Sequence, residues 1–353
     1  FSPEFSYSQE QSTKYTGYLY ELYFFRQPSA RTEAMGRGVF ANNENEFSSF
    51  YNPAQTSIGK GLDVNYSHSE RYFNDNGVNY NYIGASYNQK KIGSFGLSRY
   101  HLRFIGITDE TGRELDGRHT YSLYTLNYSR EIMKDFYAGV NINILHTYLP
   151  SFSTFNVKAH DVFTGDIGVY KKFPITTAAS PYLAQSVQVA GSLYNITGAK
   201  ATFDNIEIYP NAVLPVTLRL GTSYNLEFRK ARDSKMLNVF AHLSYENVLN
   251  SDTSQFAYFN SIKFGGEVTV WDIVSLRAGY NSIFTENQYS DFKHQFTYGA
   301  GVKIPLNSIF KIGNPLTLAI DYVNLKQPFP EEVFGELGNF NTFNIRINYI
   351  PGL

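Results

Sequence analysis

The chain has no cysteine, a single tryptophan and few charges. Without cysteine there is no disulfide framework, no thiolate metal site and no cysteine nucleophile. Charged residues make up 17 % of the 353 residues, against about a quarter in ordinary soluble domains. The net charge of −1 supplies no basic field, so no nucleic-acid partner is expected. No run of about 18 apolar residues exists, which excludes a transmembrane helix. The seven histidines (His68, His101, His119, His146, His160, His242 and His294) show no HxxxH or HExxH spacing. There is no Gly-x-Ser-x-Gly, Walker A or dinucleotide fingerprint either. The expectation is a non-enzyme with no cofactor and no metal. No signal peptide is visible at Phe1, so the chain reads as a mature form.

What the chain does have is tyrosine and phenylalanine, 29 of each. Heavy Tyr and Phe with low charge suits a wall facing lipid, with aromatic girdles at both interfaces. The mean hydropathy of −0.31 looks soluble, but a barrel averages an apolar outer face with a polar inner one.

Alternation decides between these, because successive side chains in a strand point to opposite faces. Phe343, Ile345, Ile347 and Tyr349 alternate with Asn344, Arg346 and Asn348. The same pattern recurs at Leu214–Leu220, Val274–Tyr280, Phe296–Ile304, Leu316–Tyr322 and Ala138–Ile144. Asn74–Gly77 and Lys90–Gly93 read as hairpin turns. The segments are 61–73, 78–89, 92–108, 118–131, 135–149, 158–172, 185–197, 213–229, 236–247, 259–271, 273–285, 293–305, 314–325 and 341–350. That is about 14 strands, an even number as bacterial outer-membrane barrels have, each long enough for a tilted crossing. A soluble propeller is disfavoured by the lack of a blade-length repeat. A soluble sandwich is disfavoured by Gly, Asn, Thr and Arg on the inner face of nearly every strand. The fold class is therefore all-β: a transmembrane antiparallel β-barrel in the bacterial outer membrane, with lipid as its surroundings.

Residues 1–60 lose the alternation. They are expected to form an N-terminal extension and hatch, with residues 61–353 as the barrel. Residues 30–36 fit a helical turn ended by Gly36. Phe47, Phe50, Tyr51 and Pro53 need a place to pack, which favours a plug inside the barrel. The aromatic run from Tyr15 to Phe25 fits an ordered strand or an arm against a partner.

The stretch ARTEAMGRGVFANNENEFSSFYNPA, residues 30–54, resembles the hatch of the FadL-like superfamily. The match falls on Ala30, Arg31, Met35, Gly36, Asn52, Pro53 and Ala54. Residues 105–147, through Thr108, Asp109 and Gly112, resemble the PorV/PorQ family. Residues 191–221, through Asn195, Gly198, Leu214, Pro215, Arg219 and Gly221, do so too. The chain departs from that family in having no Trp in residues 61–89, in Gly36-Arg37-Gly38 within the hatch, and in a longer segment before Ala30. The resemblance implies a 14-stranded barrel of Bacteroidetes outer membranes serving type IX secretion. It would dock the secretion channel and the C-terminal signal domains of cargo proteins. The alternative, drawn from wider FadL relatives, is a transporter of hydrophobic small molecules.

Alternation places Arg219, Arg277, Lys303, Asp321 and Arg346 in the lumen, with Asp321 and Arg346 on neighbouring strands as a candidate pair. A structural network holding the hatch is favoured over a selectivity site. Long connections at 109–119, 198–213 and 325–341 are candidate partner loops, with Asp109, Gly112, Pro328, Phe329 and Pro330 singled out. An apolar pocket inside the barrel would favour transport; a polar, plugged lumen would favour a protein partner.

Overall fold

The computed structural model describes residues 27–42, 44, 46–72, 75–89, 91–104, 119–148, 158–175, 182–204, 212–231, 234–250, 260–283, 294–326 and 338–351. Fourteen antiparallel strands close into one barrel. They are β1 (Gly61–Tyr72), β2 (Asp75–Gln89), β3 (Gly93–Phe104), β4 (His119–Met133), β5 (Phe136–Tyr148), β6 (Val162–Ile175) and β7 (Leu183–Tyr194). There follow β8 (Thr217–Ala231), β9 (Ser234–Val248), β10 (Ser261–Val270), β11 (Val274–Ile283), β12 (His294–Pro305), β13 (Leu316–Leu325) and β14 (Phe340–Tyr349). Closure joins β1 to β14, from Leu62 opposite Tyr349 to Glu70 opposite Asn341. A closed ladder leaves no edge, which is what a sheet needs in hydrocarbon.

Each expected strand is present, and the shifts have local causes. Tyr72 stands opposite Asp75 and β2 begins at Asp75, so Asp75–Gly77 belong to the strand and are not part of the turn. Lys158–Ala159 leave the barrel to pair with Phe203–Asp204, so β6 starts four residues late. Ala212–Val213 pair with Lys200–Ala201, and Pro215, which has no N–H for a ladder, precedes β8.

The two faces sort as alternation requires. Phe296 (79 % exposed), Leu97 (64 %) and Phe163 (64 %) point outward, an arrangement that suits lipid and not water. Exposed Tyr87, Tyr128, Phe173 and Trp271 lie toward one rim, and Tyr66, Tyr148, Phe296 and Tyr322 toward the other, as interfacial girdles do. Connections at 90–92, 134–135, 232–233 and 271–273 are short and share one end. That end is periplasmic, and the long connections face outside. The protein is a bacterial outer-membrane barrel.

Candidate functional site: hatch and lumen

Residues 27–42 and 46–58 run inside the barrel, nearly all of them buried. Helix α1 (Ala30–Ala34) is capped by Ser29, whose side chain accepts from the Thr32 N–H, the usual N-cap arrangement. Helix α2 (Ser48–Tyr51) leads into a 3-10 turn, Pro53–Ile58, capped by Asn52. Pro53 opens that turn, where a missing N–H costs nothing. Ser29 ties the two parts together: its N–H donates to Tyr51 Oη at 3.2 Å and its Oγ to Glu46 at 3.1 Å.

The residues at the hatch-motif positions are held to the barrel wall by side-chain and backbone contacts. The Ala30 N–H donates to Asn344, while Asn344 Nδ2 donates to Pro28 O at 2.7 Å. Arg31 forks onto Glu267 of β10, at 2.8 and 2.7 Å, and donates to Asn42 at 2.6 Å. His242 of β9 bonds the Met35 carbonyl at 2.7 Å. Gly36, at φ 82°, gives its N–H to Thr297 at 2.7 Å. Asn52 reaches the carbonyls of Val169 and Gly191. Pro53 and Ala54 lie against Gly139 of β5, where a Cβ would meet their backbone atoms. On the opposite wall Gly279 of β11 faces the backbone of Met35 and Gly36 in the same way. The barrel admits the hatch backbone where its inner wall lacks side chains.

The predicted lumen charges all face inward, with partners that sequence did not reveal. Arg219 of β8 is 1 % exposed. It bonds Glu246 at 2.6 Å and the Phe50 carbonyl at 2.9 Å, and sits 4.1 Å from the Tyr194 ring centroid. Lys263 pairs with the other oxygen of Glu246. Arg277 bridges Glu267 and Asp321, each at 2.5 Å. Arg346 pairs with Asp63 at 2.8 Å and with hatch Glu44 at 2.6 Å. Lys303 reaches Asp272 at 3.2 Å near the periplasmic mouth.

The expected Asp321–Arg346 pair is therefore corrected. Asp321 stands opposite Asn344, and Arg346 opposite Ala319. Arg277 instead crosses β12 at Gly301, where an added Cβ would meet both its guanidinium and Asp321. A missing side chain on the strand between redirects the ion pair. The partner-loop candidates Asp109, Gly112, Pro328, Phe329 and Pro330 lie outside the described residues, as do Thr108 and the run from Tyr15 to Phe25.

Glu46 is the hatch carboxyl with titration consequences. Burial, then the nearby Asp321 carboxylate, push it up to about 7 against the pull of Arg31, Arg346 and Arg277. Below the hatch, a polar cavity of about 400 Å³ opens among Arg31, Glu46, Lys172, Asp272 and Arg346.

Toward the outside the inner wall changes character, which sequence reading missed. On β2–β5 the lower inward rows are polar: Asn88, Ser94, Ser129 and Gly139, then Ser86, Gly96, Asn127 and Asn141, then Gly84, Ser98, Thr125 and Asn143. The next row is Tyr82, Tyr100, Leu123, Leu145 and, on β6, Val162. Above it stand Tyr80, Leu102 and Tyr121. All eight are at most 5 % exposed. Phe47 packs at a tilt against Tyr82, with ring centroids 4.9 Å apart, and Phe50 meets Tyr100 edge-on at 5.4 Å. The space left between Phe50, Tyr82, Tyr100 and Leu123 on one side and Asp166 and Arg219 on the other is only about 10 Å³. The β2–β6 side of the outer lumen is apolar, aromatic and shut, and it faces the buried Arg219 and Asp166.

No family model and no curated protein matches the chain. Among solved structures it is similar to the Pseudomonas putida toluene transporter TodX, at 12 % identity and TM-score 0.44, over 93 % of this chain and 98 % of that one. A Pseudomonas aeruginosa FadL homologue shows 12 % identity, TM-score 0.42, and coverage of 93 % and 99 %. The CymD monoaromatic hydrocarbon channel shows 11 %, 0.44, and 92 % and 97 %. Likeness at this level extends to barrel architecture alone.

Proposed function

We propose that this barrel passes hydrophobic small molecules across the outer membrane, with its own hatch as the gate, and performs no covalent chemistry. The observation that carries this is the aromatic and aliphatic lining of the outer lumen on its β2–β6 side, from Tyr80 and Tyr82 to Leu145 and Val162. A pore for ions or sugars needs polar walls along its whole length. An apolar ligand is instead held by apolar walls with few polar groups. Hatch rings account for contact with Tyr82 and Tyr100, while Leu102 and Tyr121 lie one row further out. With about 10 Å³ free, a ligand enters only as Phe47 and Phe50 withdraw. The test is displacement of a fluorescent naphthylamine probe by toluene, the cargo named for TodX. Wild type is expected to bind the probe and release it to toluene. Leu123→Asp, checked for folding by heat-modifiable gel migration, is expected to bind it at least tenfold more weakly, about 1.4 kcal/mol. Equal binding by both proteins would reject the proposal.

A second possibility is protein docking in type IX secretion, as the PorV/PorQ resemblance implies. It is favoured by an apolar groove of about 680 Å³ on the outer wall, lined by Val140, Ile167, Val169, Gly191, Leu193 and Leu218. Recovery of a large channel protein or of cargo signal domains with the detergent-extracted barrel would favour this reading over transport.

A further inference from the structure

The outer face of β3 breaks the rule that a barrel shows lipid no charge. Phe95 and Leu97 point outward and are exposed, and the same alternation carries Arg99, His101 and Arg103 outward toward the external rim. Among the described strand residues, these are the outward-facing arginines or lysines in that half of the wall. A lipid-facing cation is unfavourable, more so with depth, so the position asks for an anion.

Among the described residues no carboxylate supplies one. Arg99 Nη2 contacts His101 Nδ1 at 3.0 Å and Ser122 Oγ at 3.2 Å, and His101 Nδ1 contacts Ser122 at 2.8 Å. The Arg99 guanidinium also lies 5.6 Å from the Tyr124 ring centroid. Among the described residues neither arginine has a carboxylate partner, and both Nε atoms are buried without a hydrogen-bond acceptor. The outward carboxylate of Glu70 faces Asn79, which faces Arg103. That puts it two strands away, about 10 Å, and His68 already contacts it at 3.2 Å. Below the cluster, exposed Ile83, Leu97 and Leu126 offer an apolar bed.

We infer that Arg99 and Arg103 form a binding site for the phosphate of an outer-leaflet lipid whose acyl chains lie on Ile83, Leu97 and Leu126. Guanidinium groups match phosphate oxygens in charge and fork geometry. Ser122 and Tyr124 pre-position Arg99, while Arg103 stays available at the rim. The site lies on the outside of the wall and is independent of what the lumen carries.

The test is native mass spectrometry of the full-length barrel in mild detergent with lipid A, and with the same glycolipid after phosphatase treatment. Wild type is expected to retain the phosphorylated form about tenfold better. Arg99→Gln with Arg103→Gln is expected to lose that preference, and the double lysine variant to keep most of it. Equal retention of the two glycolipids by wild type, or a preference that survives in the glutamine variant, overturns the site. Release of the lipid by inorganic phosphate alone overturns the lipid assignment and makes this a free-phosphate site. The wild-type comparison stands even where a variant fails to fold.

Discussion

Replacing Arg31 by alanine is expected to loosen the hatch without opening the barrel. Arg31 forks onto Glu267 and holds Asn42, and its guanidinium lies 5.3 Å from the Phe240 ring centroid. Both members of the ion pair are at most 5 % exposed at their side chains. Removing one partner of a buried pair costs about 3–5 kcal/mol. Glu267 keeps Arg277 at 2.5 Å, which places the loss near the lower end, about 3 kcal/mol. Since each 1.4 kcal/mol is about tenfold, the open population of the hatch rises roughly 100-fold. The barrel is closed by backbone pairing between its strands, which the Arg31→Ala change leaves in place, so heat-modifiable migration is expected to stay native. The chain has no cysteine, so a single Ser48→Cys reporter on α2, 4 % exposed in the wild type, reads opening through its thiol-labelling rate. Adding Glu267→Gln to Arg31→Ala removes the carboxylate that has lost one of its two arginine partners, and the combined effect is expected to be less than additive. Labelling of the Arg31→Ala protein within about threefold of the parent would refute the claim that this pair anchors the hatch.

Three further outcomes follow from the same geometry. Gly279→Ala puts a Cβ against the backbone of Met35 and Gly36, which has no rotamer with which to retreat; the Ser48→Cys reporter is expected to label at least about tenfold faster in an otherwise native barrel. Arg219→Ala leaves Glu246 with Lys263 alone and the Phe50 carbonyl without its donor, and is expected to lower hatch stability by about 3 kcal/mol, an effect Arg219→Lys only partly repairs. Glu46 gives the hatch a pH dependence: its carboxyl is raised to about 7 in the fold, so the stability it adds is complete below its ordinary range of about 4.3 and is lost as pH rises through about 7. The labelling rate relative to that of a free thiol at the same pH is therefore expected to be lower at about pH 5.5 than at about pH 8.5, and Glu46→Gln is expected to flatten that ratio.

The barrel was legible because alternation repeats and because each turn sits where it breaks. Phe343 to Tyr349 alone would suit any sheet; with Val274–Tyr280 and Phe296–Ile304 beside it, one closed wall is the economical solution. Alternation also put Arg219, Arg277, Lys303, Asp321 and Arg346 on the inner face. It did not say which charge meets which, because reach across a strand depends on what stands between, and Gly301 is what lets Arg277 pass to Asp321. Glu267, Glu246 and Lys263 occupy inward positions of their strands and could have been paired with those arginines by register. The apolar outer lumen was hidden for another reason. Tyr80 and Tyr82 flank Asn81 and Ile83, and tyrosine suits a girdle, a lumen or a core equally, so period alone does not assign its face. Inner-wall glycines such as Gly139 and Gly279 read as weak strand positions until the hatch backbone is seen against them.

Flux through the purified barrel in proteoliposomes tests the central proposal most directly. Uptake of labelled toluene and of a polar sugar would be followed side by side in asymmetric vesicles whose outer leaflet is lipopolysaccharide, a slow barrier to apolar solutes, with and without the protein. The account predicts toluene entry faster than in empty vesicles, no added sugar entry, and loss of the toluene gain in Leu123→Asp. Toluene entry no faster than in empty vesicles, with the barrel folded and inserted, would contradict it.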